Sequence, residues 1–320
     1  MSFKRTLVVL IAIIMPVGFS HAFTPVHASR AYKPTVKTWT EVYEHLTKDD
    51  NSIKGTTYIG PLKGNGYIDR RHKNNARDTI VFIPTCTNFK QPIDIIFYFH
   101  GLGGFKKRDF GTRVLEHTTL IDPTKNYVIV IPEMPWSKNT STPRTRQGRV
   151  FTKKGAFGTF VGGVRDILRE HFHPKCNKEQ CPVSPPHILG DITLLGHSAG
   201  GSTLMSISRS GGLNWLHNSA KALSVKVIFS DASYGRWLDI TWKYFNPRVW
   251  GTEFLILTRK WDRPYNNMRR FLKRFKKTPT NVRHVVFNRH VTHSEIGDRS
   301  FGWVYDFETS GCGEGDKNEL

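Results

Sequence analysis

Apolar residues in this chain come in short unbroken runs, separated by polar stretches rich in glycine and proline. Thr79–Pro84, Ile93–His100, Tyr127–Pro132, Ile192–Gly196, Val225–Ser230, Glu253–Thr258 and Val282–Asn288 are rich in Ile, Val, Leu and Phe. Runs of that length, without an apolar–polar alternation, predict strands covered on both faces, as in a mostly parallel sheet. Between several of them the period becomes helical. Residues 111–120, Phe157–Phe172, a segment from about Gly201 and residues 264–277 have this character, and Phe160, Val161, Val164, Ile167 and Leu168 share one helix face. Strand and helix in alternation predict an α/β fold, with a central sheet and helices on both sides. Residues 23–55 are weakly patterned and read as an N-terminal extension with one short helix at Thr38–Leu46. The domain then covers 56–305 and a tail covers 306–320. Neither an internal repeat nor a second domain is legible.

Composition changes this picture in three places. Hydrophobic residues make up 38% and aromatics 12%, enough for a real core and too much for a disordered chain. Lys4 and Arg5 precede an apolar stretch, Leu7–Phe19, which ends at the small-x-small triplet Ser20-His21-Ala22. That is the layout of a cleaved signal peptide over residues 1–22, so the expected location is secreted or periplasmic. The formal charge of +21, or +19 without the leader, implies attraction to anionic polymers or membrane surfaces. Its densest part is Arg269–Lys277, and no motif for specific nucleic-acid binding accompanies it. Four cysteines in an exported chain predict disulfides, Cys176 with Cys181 and Cys86 with Cys312. A metal site from His171, His173, Cys176 and Cys181 is the alternative, but its spacing fits no zinc pattern, so no metal is expected.

The candidate chemistry lies at strand ends. Ile192–Leu195 runs into Gly196-His197-Ser198-Ala199-Gly200-Gly201, followed by a helix-compatible segment. A serine in a Gly-x-Ser-x-Gly turn between strand and helix is lifted above the sheet edge, and the small neighbours let the backbone turn and a substrate approach. A serine hydroxyl needs a base, and the base needs a carboxylate to hold its tautomer. His293 follows the last strand and opens a helical turn; His290 is its rival. Asp231, in the small-residue turn after Val225–Ser230, is favoured as the acid. Asp262, after the next strand and flanked by Lys260 and Arg263, is the alternative.

With this elbow, the order Ser198, acid, His293 and the strand–helix alternation, the chain resembles the α/β-hydrolase fold family of serine hydrolases over about residues 56–305. The resemblance also covers His100-Gly101-Leu102-Gly103-Gly104, which is similar to the family's oxyanion loop. It implies backbone donors at Leu102 and Ala199, an acyl-enzyme route on an ester or amide, and no cofactor. Gly101–Gly104 lacks the features of a phosphate-binding loop. Glu133–Ala156, which holds Trp136 and several basic residues, reads as a substrate-facing loop or a plain surface insertion. The expected protein is a monomeric esterase or peptidase acting on an anionic substrate or surface. The other class is a non-catalytic polyanion- or cell-envelope-binding protein on the same fold.

Overall fold

The structure is a computed structural model that describes residues 35–38, 55–62, 78–101, 120–122, 124–134, 151–172, 189–244 and 252–305. All of them belong to one compact unit, Tyr32–Leu320. Its centre is a nine-stranded sheet in the order β1-β2-β3-β5-β4-β6-β7-β8-β9. The strands are β1 (Thr35–Thr38), β2 (Gly55–Pro61), β3 (Asp78–Pro84), β4 (Ile93–Phe99), β5 (Tyr127–Pro132), β6 (Leu189–His197), β7 (Val225–Ser230), β8 (Thr252–Arg259) and β9 (Val282–Phe287). From β5 to β9 neighbouring strands are parallel, while β1, β2 and β3 join that block antiparallel. This is the mixed, mostly parallel sheet of the α/β-hydrolase fold.

The apolar runs are unbroken because both faces of the parallel block are covered. In β4, Ile95, Phe97 and Phe99 face one core, where Phe97 packs against Phe157 and Phe160 of helix α1 (Ala156–Phe172). Ile96 and Tyr98 face a second core with Ile296 and Phe301. The same split separates Val227 and Phe229 from Ile228 in β7, and Phe254 and Ile256 from Leu255 and Leu257 in β8. The apolar side chains of β4, β7 and β8 are therefore almost entirely buried, on one face or the other.

The remaining described helices are α2 (Gly201–Arg209), α3 (Gly212–Asn218), α4 (Trp237–Tyr244), α5 (Arg263–Leu272) and α6 (His293–Arg299). Helix α5 stops at Leu272, five residues before the sequence pattern suggests. There Arg274 N–H donates to the Phe271 carbonyl and Phe275 N–H to the Leu272 carbonyl, the tighter three-residue bonds that close a helix. Lys273, Arg274, Lys276 and Lys277 then crowd like charges into one turn ahead of Pro279, which favours ending the helix. The stretch 23–55 supplies the edge strand β1, which the sequence pattern does not suggest; of the helix expected at Thr38–Leu46, Thr38 ends β1 and the rest lies outside the described residues, as do the leader and residues 306–320. Most of the helix expected over 111–120 and most of the Glu133–Ala156 loop also lie outside them.

One disulfide expectation is corrected. Cys86 is a free, exposed thiol in the turn after β3, where Thr87 N–H closes onto the Pro84 carbonyl, so it is not bridged to Cys312. Cys176, Cys181 and Cys312 lie outside the described residues. Among the described residues no helix is long and apolar enough to cross a membrane, and no group of three or more His, Cys, Asp or Glu is placed to hold a metal.

Candidate active site

The parallel strands β6, β7, β8 and β9 end along one edge of the sheet, and the candidate residues sit there. His197 closes β6 in register with Ser230, which closes β7. The next residue on each strand is Ser198 and Asp231, so both stand one step past the ends of adjacent strands. Both have left-handed backbone, with φ of 52° and 43°. For a residue with a side chain that conformation costs of order 1–3 kcal/mol and persists only where the surroundings enforce it. At Ser198 the enforcement comes from the turn itself. Ser198–Gly200 forms one 3-10 turn that leads straight into α2. Gly200 passes so close to the Phe99 carbonyl that a Cβ there would collide with it. The Ala199 N–H opens this turn, where a helical N–H has no partner within its own helix.

His293 arrives from the far end of the chain. It is the first residue of α6, and a capping box fixes where that helix begins. Thr292 Oγ1 accepts from Glu295 N–H at 3.2 Å, and a Glu295 carboxylate oxygen accepts from Thr292 N–H at 2.6 Å. The His293 Nδ1 lies 2.5 Å from Asp231 Oδ2. A carboxylate only accepts, so Nδ1 carries the proton and Nε2 keeps its lone pair. Asp231 is fully buried, and its other oxygen, Oδ1, has no partner among the described residues. A buried carboxylate with a single strong partner is oriented by that partner. Ser198 Oγ makes no direct hydrogen bond among the described residues. Bonds between a nucleophile and its base are often slack in the free enzyme and tighten when substrate binds.

Two further contacts anchor α6 over the strand ends, and the sequence patterns do not single them out. Ser230 Oγ donates to the Ile296 carbonyl at 3.1 Å. His197, the residue before Ser198, places Nε2 2.9 Å from the carbonyl oxygen of His293. A carbonyl accepts, so His197 Nε2 is the protonated nitrogen. The His197 ring also lies against the His293 ring, with centroids 4.5 Å apart and planes at 35°. Gly297 covers the ring so closely that a Cβ there would sit 3.0 Å from Cγ and Cδ2. Burial, and after it the neighbouring His293, pushes the His197 pKa down to about 3. It stays neutral beside His293 at every pH near neutrality. The only sequence signal for these residues was polarity at the end of an apolar run, which cannot name a partner 66 or 96 positions away.

The other predicted residues divide clearly. Asp262 is occupied elsewhere: it caps α5 by accepting from Arg263 N–H at 2.6 Å, and pairs with Arg259 at 2.9 Å. His290 is exposed in the loop before α6, its N–H directed to the Asn288 side chain. His100 is buried and braces its loop. Its Nε2 accepts from Met134 N–H at 2.9 Å, so the ring's other nitrogen donates to the Gly101 carbonyl at 2.7 Å. Gly101 stands over the serine, where an added Cβ would be 2.9 Å from Ser198 Cβ and 3.3 Å from Oγ. Leu102 lies outside the described residues.

The fold and this edge define the class at the level of architecture: an α/β-hydrolase sheet with a serine elbow and a His–Asp pair above it. No protein-family model matches the chain, and no curated protein matches it. Solved structures do. A thermostable esterase matches with a TM-score of 0.42 at 13% identity, over 78% of this chain; this chain spans 58% of that one. An esterase from Pyrobaculum calidifontis matches with a TM-score of 0.43 at 10% identity, over 78% of this chain and 83% of that one. The feruloyl esterase module of Clostridium thermocellum, as a mutant complexed with sinapinate, matches with a TM-score of 0.41 at 12% identity, over 85% and 94%.

Proposed function

We propose that this chain is an exported serine hydrolase that cleaves a carboxylic ester or amide through an acyl-enzyme. The observation that carries the reading is the 2.5 Å contact between His293 Nδ1 and the buried Asp231, with the His293 ring against His197, the residue that precedes Ser198. That contact leaves Nε2 as the basic nitrogen, the one a serine hydroxyl needs. In the proposed reaction Ser198 Oγ attacks the carbonyl carbon and its proton passes to His293 Nε2. The Ala199 N–H, with Leu102 N–H as its expected partner, stabilises the oxyanion that forms. His293 returns the proton to the departing oxygen or nitrogen as the tetrahedral intermediate collapses to the acyl-enzyme. Water then attacks the acyl carbon, giving a proton to His293, and Ser198 leaves with that proton as the acid is released.

Asp231 fixes the tautomer of His293 and stabilises the imidazolium that forms during the reaction. His197 acts one step removed, by holding the backbone of His293 while staying uncharged. A second cation 4.5 Å from the imidazolium would oppose proton transfer, and the low pKa of His197 avoids it. The leader at 1–22 supports export, and the high positive charge supports an anionic substrate or setting.

A fluorophosphonate probe tests the reading. The folded protein should be labelled at Ser198, and Ser198→Ala should lose both labelling and turnover of an activated ester. Turnover that survives Ser198→Ala would overturn it.

A further inference from the structure

Trp261 is the most exposed large apolar residue described, at 78%. Its backbone φ is 69°, a left-handed conformation that is an outlier for a bulky side chain. The turn around it is clamped from both ends. Lys260 N–H donates to the Phe287 carbonyl of β9 at 3.0 Å. Arg259 and Asp262 close over the turn as an ion pair, and Asp262 caps α5. The chain thus holds a strained residue rigidly while burying almost none of its indole. Among the described residues no ring or cation–π contact repays that cost, so the display of the ring is the feature to explain.

Its surroundings point to the partner. β8 and β9 are paired in register at Arg259 and Phe287, so Trp261 and Arg289 stand two residues beyond the same rung on adjacent strands. Arg263 and Arg289 are exposed and form no ion pair among the described residues; Lys260 is half-buried, and Asp262 is already neutralised by Arg259. This rim lies on the Ser198 edge of the sheet, further out along the strand direction than the serine. An exposed indole with cationic residues next to it in its own turn and at the matching level of the adjacent strand suits a boundary that is apolar below and anionic above. A soluble polyanion would need the cations but would gain little from an indole in this position.

We propose that the Trp261–Arg289 rim docks the protein on an anionic lipid bilayer, with the indole at headgroup depth and the Ser198 edge turned towards the membrane. That the docked edge is a catalytic one rests on the reading above; the docking itself does not. The experiment is flotation of the full chain with vesicles of phosphatidylcholine alone, or of phosphatidylcholine mixed with phosphatidylglycerol. The wild type should bind the mixed vesicles and not the neutral ones. Trp261→Gly should lower partitioning about tenfold and leave turnover of a soluble activated ester unchanged. Glycine accepts this φ without strain, so the variant should unfold no more easily than the wild type, which separates lost docking from lost folding. Trp261→Phe should retain part of the binding. Equal partitioning of wild type and Trp261→Gly overturns the proposal. Salt-reversible binding to polyglutamate with none to mixed vesicles overturns it too. Ser198→Ala should bind vesicles as the wild type does, so a failed hydrolase reading would appear as missing probe labelling with this result intact.

Discussion

Replacing His197 by Phe gives a sharp test of the electrostatics of the site, because the structure fixes both what is lost and what is gained. At pH 7 the variant loses the hydrogen bond from His197 Nε2 to the His293 carbonyl, which costs about 1 kcal/mol net. In acid the balance reverses. The native His197 has a pKa of about 3, against an ordinary value of 6.5. Between those limits the unfolded wild type carries a proton here that the native state does not. Wild-type stability therefore falls as the pH drops through 6.5 towards 3, by up to about 1.4 kcal/mol per pH unit. At pH 5 this loss is about 2 kcal/mol. Phenylalanine does not titrate, so the variant escapes it. The wild type should be the more stable protein at pH 7 and the less stable at pH 5, with the two curves crossing near pH ~6. Urea unfolding at constant ionic strength across pH 7 to 5 measures the difference directly, and the other histidines cancel between the two proteins. Parallel curves over that range would show that His197 is not held neutral by its surroundings, and the account of a silent imidazole beside the base would fail.

Other substitutions separate chemistry from scaffolding. Asp231→Asn should lower kcat by roughly three to four orders of magnitude, because the amide cannot hold the tautomer that leaves Nε2 basic; steady-state kinetics on an activated ester read this. Asp262→Ala should keep that activity and lose about 1 kcal/mol of stability with its helix cap; a large fall in kcat with stability unchanged would return Asp262 to the role of acid. Gly101→Ala sets a methyl group 2.9 Å from Ser198 Cβ. Probe labelling should slow by about a hundredfold, while the unfolding free energy drops by about 1–3 kcal/mol.

What could be read in the sequence, and what could not, follows from the range of the forces involved. The strands β3 to β9 were legible because burial on both faces demands a run of apolar residues, and a run is a local property. Strands β1 and β2 were not, since Thr-Val-Lys-Thr and Gly-Thr-Thr-Tyr-Ile-Gly-Pro join the antiparallel flank through backbone pairing that the pattern does not record. Helices α3 and α4 are only two turns long, too short for a helical period to stand out. The serine turn was legible from its glycines. The contacts that assemble the rest were not, because Asp231, Ser230 and His197 meet α6 across separations of 62, 66 and 96 residues. Asp262 shows the same limit in reverse. Its charged flanks, Lys260 and Arg263, suggested an ion pair, yet its partner is Arg259, a residue three positions back that the turn brings round.

Fastening α6 to the ends of β6 and β7 has a temporal consequence. A ribosome delivers Ser198 long before His293, and on the proposed reading the hydroxyl has no base until that late helix docks. A nascent polypeptide that still lacks α6 would then carry a nucleophile without its partner. The proposed hydrolysis would begin only once α6 has docked, which ties the onset of reactivity to completion of the fold.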